Sequence, residues 1–183
     1  MNLEAIANEI LERVGVKKGQ IVLDFGCGSG TYTIPAAKIV GKEGKVYALD
    51  KDKKAINEVI KKAESEGLKN IERMDTSGEL KIYLDDMSID MILLYDVFHD
   101  YYFPSTEDRR KLLDEIHRVL KQDGSLSVWP KHMESRAKDE IEQANFYLEN
   151  KYSVTLIHDN KDIEEGEILN FALLTNSAHN QNF

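Results

Sequence analysis

Apolar positions along the chain alternate between two periods. Leu3, Ile6, Ala7, Ile10, Leu11 and Val14 recur at helical steps until Gly15 and Gly19 break the pattern. Ile21–Phe25 is a short apolar run closed by glycines, which predicts a strand. Residues 31–40 read as a helix, with Pro35 in its first turn and Gly41 as its stop. The unit then repeats: a strand at Lys45–Asp50, a helix over 53–66 with Ala55, Ile56, Val59, Ile60 and Ala63 on its inner face, and a strand at 70–74. Ile89–Tyr95 is almost wholly apolar, as expected of a strand covered on both faces. Leu112, Leu113, Ile116, Val119 and Leu120 mark a helix ending before Gly124. A fifth strand over 126–129 and a helix over 135–150 follow. Strands at 154–158 and 168–174, joined by an acidic loop containing Gly166, have no helix between them and predict an antiparallel hairpin.

Strands alternating with helices, and a closing hairpin, predict an α/β fold. The expected form is a doubly wound, mostly parallel sheet with helices on both faces and a C-terminal antiparallel hairpin. A single domain is expected over residues 1–175, with a polar tail at 176–183. In such sheets ligands bind outside the carboxyl ends of the strands, where strand order reverses. Those ends therefore hold the candidate chemistry.

The first strand runs into Asp24-Phe25-Gly26-Cys27-Gly28-Ser29-Gly30-Thr31. Three alternate glycines exceed what a tight turn requires and let a ligand approach the backbone closely. A dinucleotide fingerprint has the spacing G-x-G-x-x-G, but here the third glycine comes one residue early. Asp24 at the base of the loop repels a diphosphate, and the next cation along the chain is Lys38. The loop thus favours a cationic, nucleoside-like ligand over NAD. Asp50, closing the second strand, is suited to accept hydrogen bonds from a ribose diol, because Asp52 is better placed to cap the following helix. Asp75, closing the third strand, either receives an adenine amine or starts the next turn.

This ordered set, from the glycine loop through Asp50 and Asp75 to Gly124, resembles class I S-adenosylmethionine-dependent methyltransferases over residues 21–129. The resemblance implies a Rossmann-like methyltransferase fold with S-adenosylmethionine as cofactor and S-adenosylhomocysteine as product. It also implies that Gly26, Gly28 and Gly30 lie against the methionyl part, with the ammonium drawn to Asp24. Asp50, with Lys51 beside it, is then assigned to the ribose, and Asp75, with Thr76 beside it, to the adenine. Tyr95 and Asp96 flank the methionyl end.

Composition narrows the acceptor. The net charge of −9 over 183 residues argues against a nucleic-acid substrate. The segment Tyr95-Asp96-Val97-Phe98 is not the Asn/Asp-Pro-Pro-aromatic sequence of nucleobase amine methylation, and the length leaves no room for an appended basic domain. Cys27 is the only cysteine and lies inside the cofactor loop, which excludes cytosine C5 methylation and internal disulfides. No stretch approaches the roughly 18 apolar residues of a membrane span, and Glu4 and Glu9 are out of keeping with a signal peptide. A cytoplasmic enzyme acting on a small molecule is expected, with no membrane partner.

His99, in the loop after the fourth strand, is a candidate base for a hydroxyl or thiol acceptor, weighed against a plain helix-start residue. Tyr101 and Tyr102 in the same loop, and Trp129 and His132 after the fifth strand, are candidate acceptor-side residues. The five histidines, His99, His117, His132, His158 and His179, are too scattered in sequence to predict a metal site. Only residues 1–18 and the 100–106 loop are available to cover the pocket, which leaves the acceptor site open, small, or completed by a second subunit in a homodimer. Three competing readings are a non-catalytic S-adenosylmethionine-binding module, an NAD-dependent oxidoreductase, and a methyltransferase acting on a protein arginine or carboxyl group.

Overall fold

The computed structural model describes residues 2–158 and 161–174, the side chain of Glu134 excepted. The expected tail at 176–183, with His179, lies outside the described residues. The elements in order are α1 (Leu3–Val14), β1 (Ile21–Phe25), α2 (Thr33–Val40), β2 (Lys45–Asp50), α3 (Lys53–Ser65), β3 (Ile71–Asp75), β4 (Ile89–Tyr95), α4 (Thr106–Val119), β5 (Leu120–Trp129), α5 (Glu134–Gln143), β6 (Phe146–His158) and β7 (Asp162–Leu173).

Side-chain caps start three of the helices. Asn2 accepts from the Glu4 N–H at 3.1 Å and Ser105 from the Asp108 N–H at 3.0 Å. Asp52, not Asp50, caps α3, accepting from the N–H groups of Lys54 and Ala55 at 2.8 and 3.3 Å. Asp50 is thereby left to other work.

The strands form one seven-stranded sheet in the order β3-β2-β1-β4-β5-β7-β6. Strands β1 to β5 pair in parallel, and β7 runs antiparallel to both β5 and β6. β6 therefore points the same way as β1 to β5, and its carboxyl end reaches the same edge of the sheet. Alternate residues of each strand feed opposite faces. Val22, Met91 and Leu93 pack under α1 and α2, and Ala48 meets α3 through Ile56, Val59 and Ala63. Leu23, Ile92, Leu94 and Val128 pack under α4 and α5 on the other face. Cover on both faces is why β4 is almost entirely buried.

The connection from β3 to β4 has no helix: residues 76–88 cross β2 and β1 as loop, with Ile82 buried and Leu80 and Leu84 packed on the core. Two expectations change. The helix expected over 135–150 stops at Gln143, because Asn145 turns the chain with a left-handed φ of 67° and Phe146 and Leu148 pair with Leu173 and Phe171. β6 is an edge strand, so its polar Glu149 and Lys151 face water without an apolar run to mark them. Gly166 lies inside β7 rather than in a loop; a Cβ there would fall 2.7 Å from Leu156.

Candidate functional site

β2 leads from β1 to one side of the sheet and β4 lies on the other, so strand order reverses between β1 and β4. A cavity of about 560 Å³ opens at the carboxyl ends there, within the usual range for small-molecule sites. Register brings its walls level: Phe25 pairs with Leu49, Asp50 with Asp75, and Tyr95 with Trp129.

The glycine loop forms one wall. Gly26 and Cys27 donate to the Leu49 carbonyl at 2.8 and 3.0 Å, holding the loop against β2. Gly26 has a φ of 79° and Gly30 one of 81°; a Cβ would fall 2.2 Å from Val97 at the first and 2.9 Å from Val59 at the second. Gly30 thus serves the packing of α3 and does not line the cavity, whereas Gly26 and Gly28 do. The Asp50 carboxylate braces the loop from β2. Its Oδ2 accepts from the Gly28 N–H and its Oδ1 from the Asp52 N–H, both at 2.8 Å, and the residue lines the cavity.

Asp24 lines the floor at 4% exposure and accepts from the Thr33 hydroxyl at 2.6 Å. Burial raises its pKa to about 6; the Thr33 hydrogen bond opposes the rise and the Asp50 charge adds to it. A cationic ligand would relieve both effects. Burial also pushes the Cys27 thiol well up, so it is no nucleophile.

Thr76 and Lys51 line the cavity, the Lys51 ammonium 4.9 Å over the Tyr102 ring. Asp75 does not line it; Arg73 holds its carboxylate with Nε at 2.8 Å and Nη2 at 2.6 Å, which keeps its pKa low. Tyr95 shares a 2.9 Å hydrogen bond with Ser127 and stands edge-on to Tyr32.

Another wall comprises Tyr101, Tyr102, Phe103 and Trp129, all lining the cavity, with Tyr101 80% exposed at its mouth. Their loop is tied down from behind by Arg109. This guanidinium is 3% exposed; it donates to Asp100 at 2.8 Å and to the Phe103 carbonyl at 2.6 Å, and forks onto Glu140 at 2.6 and 2.9 Å. α1, one of the two expected covers, packs on α2 and β6 and contributes no lining residue.

Asp96 lines the cavity with a left-handed φ of 52°, its N–H donating to the Trp129 carbonyl at 3.2 Å. Three imidazoles from three segments face its carboxylate: His158 Nε2 at 2.7 Å from Oδ2, and the Nε2 atoms of His99 and His132 at 3.8 and 3.9 Å from Oδ1. Oδ1 is buried without a hydrogen-bond partner. His99 and His132 are not lining residues; His158 is. Burial lowers the His99 pKa against the opposing pull of Asp96. No cluster of metal-ligating geometry occurs among the described residues.

No local motif in the sequence marks His158 as a lining residue. Parity of strand direction was the available signal: the strand before a final antiparallel one ends at the ligand edge.

The chain matches the family described as "Methyltransferase domain" over residues 16–173. It is 44% identical over 70 residues to a probable cobalt-precorrin-6B C(15)-methyltransferase (decarboxylating) of Saccharolobus solfataricus, covering 38% of this chain and 35% of the relative. It is 30% identical over 116 residues to a demethylmenaquinone methyltransferase of Geobacillus stearothermophilus, covering 63% of this chain and 47% of the relative. The chain thus spans less than half the length of these two relatives. A solved structure described as a SAM dependent methyltransferase, from Aquifex aeolicus, superposes with a TM-score of 0.75 at 28% identity, covering 94% of this chain and 92% of that one.

Proposed function

The chain belongs to the methyltransferase-domain family, and on that premise we propose that it is an S-adenosylmethionine-dependent methyltransferase acting on a small-molecule acceptor. The observation that carries this reading is the pair of carboxylates under the glycine loop. Asp24 is buried, and the groups that act on it, Thr33 and Asp50, bring no positive charge. A cavity built this way suits a ligand with an ammonium and a sulfonium and disfavours a pyrophosphate.

The lining fits the cofactor. Asp24 would take the methionyl ammonium, the open face of Gly28 would lie against the methionyl chain, and Asp50 would accept from the ribose hydroxyls. Each Asp50 oxygen keeps acceptor capacity beyond its one backbone bond. Thr76 would sit at the adenine end. When bound, the cofactor supplies an intrinsically activated methyl group. The chain's own residues then hold the two reactants in line and keep water from between them. The small-molecule assignment draws on the size of the cavity, the acidic net charge, and relatives whose names state precorrin-type and demethylmenaquinone activities. Among the described residues no helix is long and apolar enough to cross a membrane, in keeping with a proposed cytoplasmic location.

Thermal shift with S-adenosylmethionine, S-adenosylhomocysteine and NAD tests this. At a hundredfold excess over Kd the bound form gains about 2.7 kcal/mol. Both sulfur nucleosides should raise the melting temperature, and Asp50→Ala should remove most of the rise. A rise with NAD alone would refute the assignment.

A further inference from the structure

A second cavity, of about 440 Å³, opens at the other edge of the sheet, by the amino ends of β1, β4 and β5. Asp90 and Met91, where β4 begins, line it, whereas Tyr95 and Asp96, where β4 ends, line the first cavity. From Asp90 to Asp96 the chain advances about 20 Å at strand rise. None of the described residues lines both cavities.

Asn170 of β7 lies in its floor, 3% exposed. Its Nδ2 donates to the Val14 carbonyl at 2.7 Å. A carbonyl can only accept, so this bond settles which end of the amide is nitrogen. Oδ1 is left buried with no hydrogen-bond partner among the described residues. A buried acceptor in that state is costly, and it marks the place for a donor from outside the chain.

The surroundings of Asn170 are also rich in acceptors. Helix α1 ends on the cavity through Val14 and Gly15, the latter with a left-handed φ of 103°, and so presents the negative pole of its dipole. Asp90 is already engaged, one oxygen accepting from the Ile21 N–H and the other from Lys121 Nζ, each at 2.7 Å. Asp123 and Glu149 are exposed at the rim, and neither has an ion-pair partner among the described residues. They stand on strands β5 and β6, separated by β7, so the rim is about two strand spacings or roughly 10 Å across. Lys17 is the one cation among the described lining residues. No cluster of metal-ligating geometry occurs among the described residues, so the site suits a cation that brings N–H groups rather than a bare metal ion. A guanidinium fits better than an ammonium. Its weaker hydration lets it rest against the buried Val14 and Met91, and its planar fork reaches an amide oxygen and a carboxylate together.

We propose that this cavity binds a small alkylguanidine, with the guanidinium on Asn170 Oδ1 and the chain leading out between Asp123 and Glu149. The proposal is independent of the methyltransferase reading, because it uses no residue of the first cavity.

The test is a titration of the full, ¹⁵N-labelled chain with agmatine, followed by two-dimensional NMR. Saturable shifts are expected at the Asn170 side-chain amide and the Gly15 N–H, and none at the Gly28 N–H. The double variant Asp123→Asn, Glu149→Gln changes only exposed rim groups, and its spectrum reports directly that the fold is kept. It should bind agmatine at least about tenfold more weakly, as loss of charge-assisted bonds requires. Putrescine, which has ammonium groups alone, should also bind about tenfold more weakly than agmatine. Magnesium chloride at matched ionic strength should leave both signals in place. No saturation at millimolar agmatine, shifts at Gly28 in place of Gly15, equal binding of putrescine, the same shifts with magnesium, or undiminished binding by the double variant overturns the proposal.

Discussion

Asp24→Asn isolates the charge that the site holds ready for its ligand. In the free protein the carboxyl ionises at about 6 instead of the ordinary 3.8 because it is buried. A group whose pKa is raised on folding favours the protonated state in the folded chain. Its contribution is therefore complete below the ordinary value and is lost as pH rises through the folded one. Above that window the ionised, buried carboxylate destabilises the free protein by about 3 kcal/mol, the worth of roughly two pH units at 1.36 kcal/mol each. Asparagine keeps the shape and an oxygen for the Thr33 hydroxyl to bond, and carries no charge. The variant should match wild type near the acid end of the window and exceed it progressively toward neutrality. For a chain of this size the gap amounts to roughly 6–12 °C in Tm.

The assay is differential scanning calorimetry across that window, with and without S-adenosylmethionine. Bound ammonium should pull the wild-type carboxyl back to its charged form, so wild-type affinity should rise with pH through about 6 while the affinity of the variant stays flat. The variant should thus be the more stable protein and the weaker binder. A stability gap that does not change with pH, or a variant that binds the cofactor as tightly as wild type, would refute the electrostatic account of the loop.

Two further predictions separate the halves of the site. Gly30→Ala meets both a left-handed φ of 81° and a contact 2.9 Å from Val59; it should lower the urea midpoint by about 2–3 kcal/mol equivalent, and adding Val59→Ala should relieve the contact but not the backbone strain. Arg109→Met leaves the Glu140 carboxylate, 13% exposed, without the fork it was built around. A loss of about 3–5 kcal/mol is expected, with faster proteolysis in the 100–106 loop and cofactor affinity held within about threefold. A cofactor affinity that collapses in step with stability would show that Arg109 does more than tie the acceptor loop.

What the sequence disclosed follows from the range of the interactions involved. The glycine-loop wall of the cavity was legible because it is local: Asp24, Gly26 and Gly28 sit within five residues at one strand end, and Asp50 braces that loop from the next strand. Even there, alternation of glycines did not distinguish Gly28, which faces the cavity, from Gly30, which faces Val59. The rest of the cavity was only partly legible. Tyr101, Tyr102 and Trp129 were visible as loop and strand-end aromatics, but His158 reaches Asp96 only through the pairing of β6 with β7. The helix expected over 135–150 hid the first half of that strand, since an edge strand carries no apolar run to announce it. Arg109 was equally hidden. A buried guanidinium inside the charged face of α4 looks in sequence like any solvated one, and its burial depends on Glu140 arriving from α5.

The two halves also differ in what fixes them. The glycine loop is held by its own N–H groups, which donate to the Leu49 carbonyl and to the Asp50 carboxylate. The opposite wall is held by side chains, namely the Arg109 fork behind the 100–106 loop and the Asp96 carboxylate between three imidazoles. Left-handed backbones at Asp96 and His132 are tolerable because aspartate and histidine accept that conformation better than branched residues. They are kept there by the bonds from the Asp96 N–H to the Trp129 carbonyl and from the Met133 N–H to the Pro130 carbonyl. The bracing of positions 96, 99, 132 and 158 is thus separate from that of the glycine loop on β1 and β2.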